Sequence, residues 1–223
     1  MKKIIEKLLA IFARSILDKY QPKVIGITGS VGKSSTKEAV FTVLDGRFRA
    51  RKNDKNYNNE IGVPLTIIGT GSQWKSVIGW LRVFARAFKL LSVTDTSYPQ
   101  VLVLEMGADH PGDIAYLTTV VPCHVGVVTK VSPAHVEFFG SVENIAKEKR
   151  KIVTHLTAND FAVLNYDDAL VKKMAKRTKA KIFSYGYEEE AAVRALELEM
   201  PSIGEQIAGL GFKISYQGST VPF

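Results

Sequence analysis

The sequence predicts an α/β fold with a mostly parallel sheet flanked by helices, and three observations carry that expectation. Residues 23–27 (Lys-Val-Ile-Gly-Ile) form a short apolar run that ends in a glycine-rich turn, after which Ser34 to Leu44 has helical spacing. Further aliphatic runs recur at Val101–Leu104, Val125–Val128, Phe161–Leu164 and Lys181–Tyr185, separated by turn residues or segments with helical spacing. Near-continuous Val/Ile/Leu runs are the pattern of strands buried on both faces, as in a parallel sheet with right-handed crossovers. After Gly186 the pattern changes: an acidic run at Glu188–Glu190 is followed by period-two alternation over Val193–Met200 and Phe212–Tyr216, around Gly204, Gly209 and Gly211. That predicts an antiparallel β-hairpin appended to the sheet over about residues 187–223.

Taken in order, the first element is a helix over residues 1–21. Ile4, Ile5, Leu8, Leu9, Ile11, Phe12, Ile16 and Leu17 share one broad face, and Lys2, Lys3, Lys7 and Arg14 take the other. Glu6, Arg14, Asp18 and Lys19 interrupt every apolar run, so the segment reads neither as a signal peptide nor as a membrane span. A second basic amphipathic helix spans Trp74 to Leu91, with Lys75, Arg82, Arg86 and Lys89 between its apolar positions. Each helix is expected to pack on the core; a basic helix lying on an acidic membrane surface is the alternative.

The chain has 223 residues, 46% of them hydrophobic, enough for one main core. Its one cysteine, Cys123, excludes an intramolecular disulfide framework and a multi-cysteine zinc site, and fits a cytoplasmic, reducing compartment. A formal charge of +8 suits an anionic partner such as a nucleotide. No nucleic-acid-binding motif accompanies it, so none is expected as a partner.

Thr28-Gly29-Ser30-Val31-Gly32-Lys33-Ser34-Ser35-Thr36 lies between the first strand and its helix. Such a loop turns backbone N–H groups toward a phosphate, Lys33 can reach terminal phosphates, and the Ser34 hydroxyl can ligate Mg²⁺. The general pattern wants a further glycine where this chain has Ile27. Glu105 ends the Val-Leu-Val-Leu strand at the sheet's carboxyl edge, where ligands of open α/β sheets bind, and could share that Mg²⁺. His135 follows the next strand through Val131-Ser132-Pro133-Ala134; a lone loop histidine is usually structural, though a neutral imidazole there can ligate metal. The stretches Arg51–Asn53 and Asn56–Pro64 form a polar loop rich in amides able to bond phosphate or substrate. Lys147, Lys149, Arg150 and Lys151 read from spacing as a solvated helical face. His110, His124 and His155 read as structural. Kinase and GTPase readings lack their companion motifs.

Together these segments resemble the Mur ligase family, within it the branch that adds D-alanyl-D-alanine. Thr-Gly-Ser-x-Gly-Lys-Ser at Thr28–Ser34 looks like the family's loop, missing glycine included, and Asn56–Thr66 looks like the block that marks this branch. Glu105-Met-Gly-Ala-Asp-His-Pro-Gly-Asp-Ile-Ala-Tyr-Leu117 and Ser132-Pro-Ala-His-Val-Glu-Phe-Phe-Gly-Ser141 match two more blocks in order. The resemblance covers residues 22–186 closely and the remainder loosely, and implies a P-loop NTPase-like central ATP-binding domain over 22–223.

The resemblance implies that ATP converts the carboxylate of UDP-N-acetylmuramoyl-tripeptide into an acyl phosphate, which the amine of D-alanyl-D-alanine attacks. It also implies an ATP-binding set of Thr28, Gly29, Ser30, Val31, Gly32, Lys33, Ser34 and Ser35, with Asn59 near the γ-phosphate. Ser34 and Glu105 would hold one Mg²⁺ and His135 a second, beside a carbamylated lysine that the alignment of Ala146-Lys-Glu-Lys149 places at Lys149, with Lys147 as rival. The family commonly follows that lysine with Gly-Glu, where this chain has Arg150-Lys151. Catalytic roles fall on Lys33, Lys149 and His135. The family's N-terminal UDP-binding and C-terminal ligase domains are expected to be missing here, so both substrates would be gripped by elements outside this chain. Two alternatives stand beside this function. One is a ligase of the same superfamily acting on another carboxylate, folylpolyglutamate- or cyanophycin-synthetase-like, which the Asn56–Pro64 block disfavours. The other is a non-catalytic nucleotide-binding scaffold at the inner membrane surface.

Overall fold

The computed structural model describes residues 2–222 except 55, 72, 74, 75, 201, 204, 205 and 208. Its elements run α1 (Lys2–Tyr20), β1 (Lys23–Thr28), α2 (Lys33–Asp45), β2 (Ala50–Lys52), α3 (Gly62–Ile68), α4 (Val77–Ser92), β3 (Val101–Glu105), α5 (Asp113–Val120) and β4 (Val125–Val128). They continue through α6 (Val136–Phe139), α7 (Val142–Lys149), α8 (Lys151–Thr154), β5 (Phe161–Asn165), α9 (Ala169–Lys172), β6 (Lys181–Gly186), β7 (Val193–Glu199), a small β8–β9 pair (Ser202–Ile203, Gln206–Ile207), β10 (Gly211–Tyr216) and β11 (Ser219–Pro222).

The main sheet has the order β11-β10-β7-β6-β5-β4-β1-β3-β2. Strands β2 to β6 are mutually parallel with β1, and β7 adds to β6 in parallel through Tyr185↔Val193 and Gly186↔Arg194. Beyond it, β7, β10 and β11 pair antiparallel. The expected hairpin is therefore three strands, with β11 added at its outer edge. Gly204 and the helix-start residues Trp74 and Lys75 lie outside the described residues.

Alternate residues of the central strands feed two cores. Val24, Leu102, Leu104, Val128 and Leu164 face the larger one, built with α1, α3, α4, α5 and α8; Ile27, Val101, Val103 and Val127 face a smaller one against Val40 and Leu44 of α2. This explains the unbroken aliphatic runs, since both faces of β3 are covered and all five of its residues are buried. The rule fades outward: Ile182 and Phe183 of β6 are about two-fifths exposed (40% and 38%).

Helix α1 packs on the core as expected, burying Leu9, Ala13, Ile16 and Leu17, but Ile4, Leu8 and Ile11 of its apolar face are exposed. In α4, Gly79, Val83, Ala87 and Leu90 are buried. Its N-cap Ser76 accepts from the Gly79 N–H at 3.0 Å, satisfying a donor the first turn leaves free.

Candidate functional site

The strand order reverses at β1, whose neighbours are β3 on one side and β4 on the other. The carboxyl ends of these three strands form the crevice where open α/β sheets hold ligands. Thr28 ends β1, Glu105 ends β3, and the chain after β4 brings Thr129, Ser132 and His135 to the same edge.

The loop 29–32 closes tightly. Gly29 has φ 153°, and a Cβ there would come within 1.9 Å of the Thr129 hydroxyl oxygen, so any other residue would displace the Thr129 side chain and its hydrogen bonds. Thr129 donates through its hydroxyl to the Val31 carbonyl at 2.7 Å, and the Ser30 N–H donates to the Lys130 carbonyl at 2.6 Å. The Ser30 hydroxyl donates to the Ser132 carbonyl and accepts from the Ser132 N–H. Gly32, at φ 86°, then starts α2, whose first turn presents free backbone N–H groups and the positive end of the helix dipole. Thr28 is fully buried, and its hydroxyl oxygen has no hydrogen-bond partner among the described residues. Lys33 folds back so that its Nζ lies 3.4 Å from the Ser30 carbonyl.

On the β3 side, the Ser34 hydroxyl donates to Glu105 Oε2 at 2.8 Å, and Asn58 Nδ2 donates to Glu105 Oε1 at 3.1 Å. Lys37, 1% exposed, lies 3.8 Å from Glu105 Oε2 and 3.7 Å from Glu38, and donates to the Asn53 carbonyl at 2.7 Å. Asn53 in turn clamps β3, donating to the Glu105 carbonyl and accepting from the Glu105 N–H. The polar loop thus splits in role. Asn53 is structural, and Arg51 donates to the carbonyls of Thr66 and Ile67 at the end of α3, with burial lowering its guanidinium's ordinary value. Asn59 accepts from the N–H groups of Ile61 and Gly62, capping the turn into α3, whereas its neighbour Asn58 meets the carboxylate.

On the β4 side, Lys149 corrects the expectation of a solvated face. It is 4% exposed and its Nζ donates to the Gly29 carbonyl at 2.9 Å, because α7 turns Ile145, Ala146, Glu148 and Lys149 inward together. Lys147 is exposed and reaches only its own helix, at Asn144 Oδ1. Burial, and then the nearby charge of Lys33, push the Lys149 amine down to about 8, against a smaller upward pull from Glu148 and Asp109. Glu148 is buried and accepts from the N–H groups of Ile114 and Ala115.

His135 sits at the start of α6 with φ 56°, a left-handed conformation uncommon for a side chain of its size, and its Nε2 lies 3.4 Å from Asp109 Oδ1. Asp109 therefore touches His135 and influences Lys149. Among the described residues no three His, Cys, Asp or Glu side chains converge on one point. Two of the other histidines are structural, His124 Nδ1 accepting from the Val24 N–H and His155 Nε2 from the Cys123 N–H, whereas the exposed His110 ring packs on Phe138. A cavity of about 690 Å³ opens beside the site, bordered by Asn58, Asn59, Asp109 and His110 and by Lys2, Lys3 and Lys7 of α1.

Sequence reasoning missed Lys37, Asp109 and Thr129. Lys37 carried a signal, since it follows Lys33 by four residues and so shares its helix face; Asp109 and Thr129 carried none beyond their neighbourhood.

Comparison with known proteins is consistent with this geometry. The family model of the Mur ligase middle domain matches residues 86–220, more than half of the 223-residue chain. The UDP-N-acetylmuramoyl-tripeptide–D-alanyl-D-alanine ligase of Rickettsia prowazekii is 29% identical over 189 residues, covering 83% of this chain and 36% of the relative. That of Mycobacterium leprae is 35% identical over 159 residues, covering 71% and 26%. The chain thus spans about a quarter to a little over a third of these relatives' length. The crystal structure of a MurF ligase from Thermotoga maritima in complex with ADP superposes with a TM-score of 0.75 at 28% identity, covering 97% of this chain and 43% of that one.

Proposed function

The chain belongs to the Mur ligase family through its middle domain, and we propose that it binds ATP with Mg²⁺ as the nucleotide module of a ligase that joins D-alanyl-D-alanine to UDP-N-acetylmuramoyl-tripeptide in the cytoplasm. The observation that carries this reading is the Ser34–Glu105 contact at 2.8 Å beside a glycine loop at the reversal of strand order.

The residues present fit the nucleotide and the ion. An all-oxygen pair of hydroxyl and carboxylate is the donor type that Mg²⁺ takes while keeping water and phosphate oxygens as its other ligands. Gly29 leaves no room for a side chain, and the free N–H groups opening α2 suit a phosphate. When bound, ATP and Mg²⁺ would supply phosphorylation of a carboxylate to an acyl phosphate with release of ADP, and an amine would then displace inorganic phosphate from the acyl carbon to leave an amide. Thr28 to Ser35 form the nucleotide cradle, and Lys33, released from the Ser30 carbonyl, neutralises the terminal phosphates. Asn58 orients Glu105, while Asn59, its Oδ1 engaged in its own turn, keeps its Nδ2 donor for the γ-phosphate.

His135 is the proposed ligand of a second Mg²⁺. Lys149 is assigned here, over Lys147, as the carbamylated lysine. An amine held near 8 retains a usable free-base fraction at neutral pH, so it can add CO₂ and release a proton, exchanging a buried cation beside Lys33 for an anion. The cavity bordered by Asn58, Asp109 and the α1 lysines provides room for the carboxylate substrate.

Calorimetric titration with ATP tests the reading. Micromolar-to-millimolar binding that requires Mg²⁺ and is lost in Lys33→Ala and weakened at least tenfold in Ser34→Ala is the expected result, consistent with about 1.5–3 kcal/mol for a charge-assisted contact. Binding indifferent to Mg²⁺ and to both substitutions would overturn it.

A further inference from the structure

Helices α1 and α4 lie side by side and run in the same direction. The rings of Phe12 and Phe84 meet at 5.8 Å, and farther along Lys19 Nζ and the Tyr20 hydroxyl donate to the Leu90 carbonyl. Their inner faces are sealed, with Leu9, Ala13 and Ile16 on one and Val83, Ala87 and Leu90 on the other all at most 1% exposed. Their outer faces are not polar. On α1, Ile4, Leu8 and Ile11 are 64%, 39% and 61% exposed; on α4, Val77, Leu81 and Phe88 are 69%, 63% and 66% exposed.

At 100° per residue, each set of three falls on one stripe next to its seam residue, Phe12 or Phe84. Two apolar stripes therefore flank the seam on the outer surface. A single exposed aliphatic residue needs no explanation, but contiguous stripes on adjacent helices mark an interaction surface.

Charge selects the partner. Helix α4 contains Arg82, Arg86 and Lys89 and no acidic residue. The acids of α1, Glu6 and Asp18, lie at ion-pair distance from Lys2 and Arg14, leaving Lys3 and Lys7 exposed at the outer flank of the α1 stripe. Arg82 and Lys89 are exposed on the flank of α4 away from α1. Apolar stripes bordered by cations match a lipid surface, whose acyl boundary takes the stripes while its headgroups take the cations. No described helix is long and apolar enough to cross a membrane.

We propose that the α1–α4 face seats this protein in the plane of an anionic lipid bilayer. The proposal uses none of the nucleotide-binding residues at the carboxyl ends of β1, β3 and β4, and it shares with the cavity beside them only Lys3 and Lys7 of α1.

The test is co-sedimentation of the purified chain with phosphatidylcholine vesicles that contain or lack one quarter phosphatidylglycerol. Pelleting is expected with the anionic vesicles only, and to weaken with salt. Replacing Lys7 and Arg82 together by Gln should lower partitioning by about 30-fold, at roughly 1 kcal/mol per cation near the surface. The Ile11→Glu/Phe88→Glu double variant should lose pelleting while keeping the circular dichroism and melting temperature of the parent; Ile4→Ser/Val77→Ser, a milder change at the same face, guards against a folding defect. Three results would overturn the proposal: no pelleting of the parent at low salt; pelleting unchanged in both apolar variants, which means simple electrostatic adsorption; or no pelleting with light scattering that shows a dimer broken by the same variants, which assigns the face to a second copy.

Discussion

The two sides of the glycine loop at residues 29–32 each bury a lysine, and they treat it differently. On the β3 side Lys37 is held among Glu105, Glu38 and the Asn53 carbonyl. On the β4 side Lys149 meets the Gly29 carbonyl and the charge of Lys33, and its amine is pushed down to about 8. Both are nearly inaccessible, at 1% and 4% exposure, so burial alone does not distinguish them. What differs is compensation. A buried cation with a carboxylate beside it is a fixed part of the scaffold, whereas one facing another cation is held close to releasing its proton, which is where reactive lysines are found.

The largest way to break this contrast is to remove the compensation. Glu105→Ala strips the carboxylate from Lys37 and the acceptor from Ser34 and Asn58, and should cost about 3–5 kcal/mol, the range for one member of a buried pair. Urea denaturation reads it as a lowered midpoint at unchanged slope. The double variant Lys37→Met/Glu105→Gln should recover part of that loss; no recovery would mean that the carboxylate acts on the scaffold through Asn53 and Asn58 instead.

On the other side the sign reverses. In CO₂-depleted buffer, where the amine is unmodified, Lys149→Met should stabilise the fold by about 1–3 kcal/mol at pH 7, since each tenfold loss of proton affinity on folding costs roughly 1.4 kcal/mol and the lost hydrogen bond offsets part of the gain. The folded amine sits near 8 and the ordinary value is 10.5, so the unfolded chain binds the extra proton between them. The cost to the parent is complete below about pH 8 and disappears as pH rises toward 10.5, so the gap between parent and variant should close over that window. A gap constant from pH 7 to 10 would show that packing, not charge, sets it.

The smallest effect belongs to two histidines outside the loop. His124 and His155 accept backbone N–H groups as neutral rings, and burial lowers both from the ordinary 6.5. Stability from this source is complete above 6.5 and is lost as pH falls below it, because the unfolded rings protonate first. His155→Asn should remove about 1 kcal/mol at pH 7 and flatten the acid limb in thermal melts read between pH 5 and 7.5. An unchanged limb would leave the carboxylates as its source.

Much of the fold was legible because the chain writes its burial into composition. Both faces of β1, β3 and β4 are covered, so each appears as an unbroken aliphatic run, whereas the appended strands alternate in sequence although β7, β10 and β11 bury no described residue fully. The loop was legible for the same local reason: the positive φ at Gly29 and Gly32 favours glycine over any residue with a side chain. Asp109 and Thr129 were not legible, since each acts on a residue distant in sequence, and nothing in the spacing of Lys147 and Lys149 says which faces inward.

The sequence by itself determined the strand–loop–helix that starts the site, the carboxylate at the end of β3, the two amphipathic basic helices and the change to antiparallel strands after Gly186. These are properties of short segments, set by periodicity and backbone permissiveness. The tertiary structure alone decided that Glu105 serves Ser34, Asn58 and Lys37 together, that Lys149 and not Lys147 reaches the loop, and that α1 and α4 leave paired apolar stripes outside. Burial and the local field depend on which elements the sheet order brings into contact, and that order is a property of the whole chain.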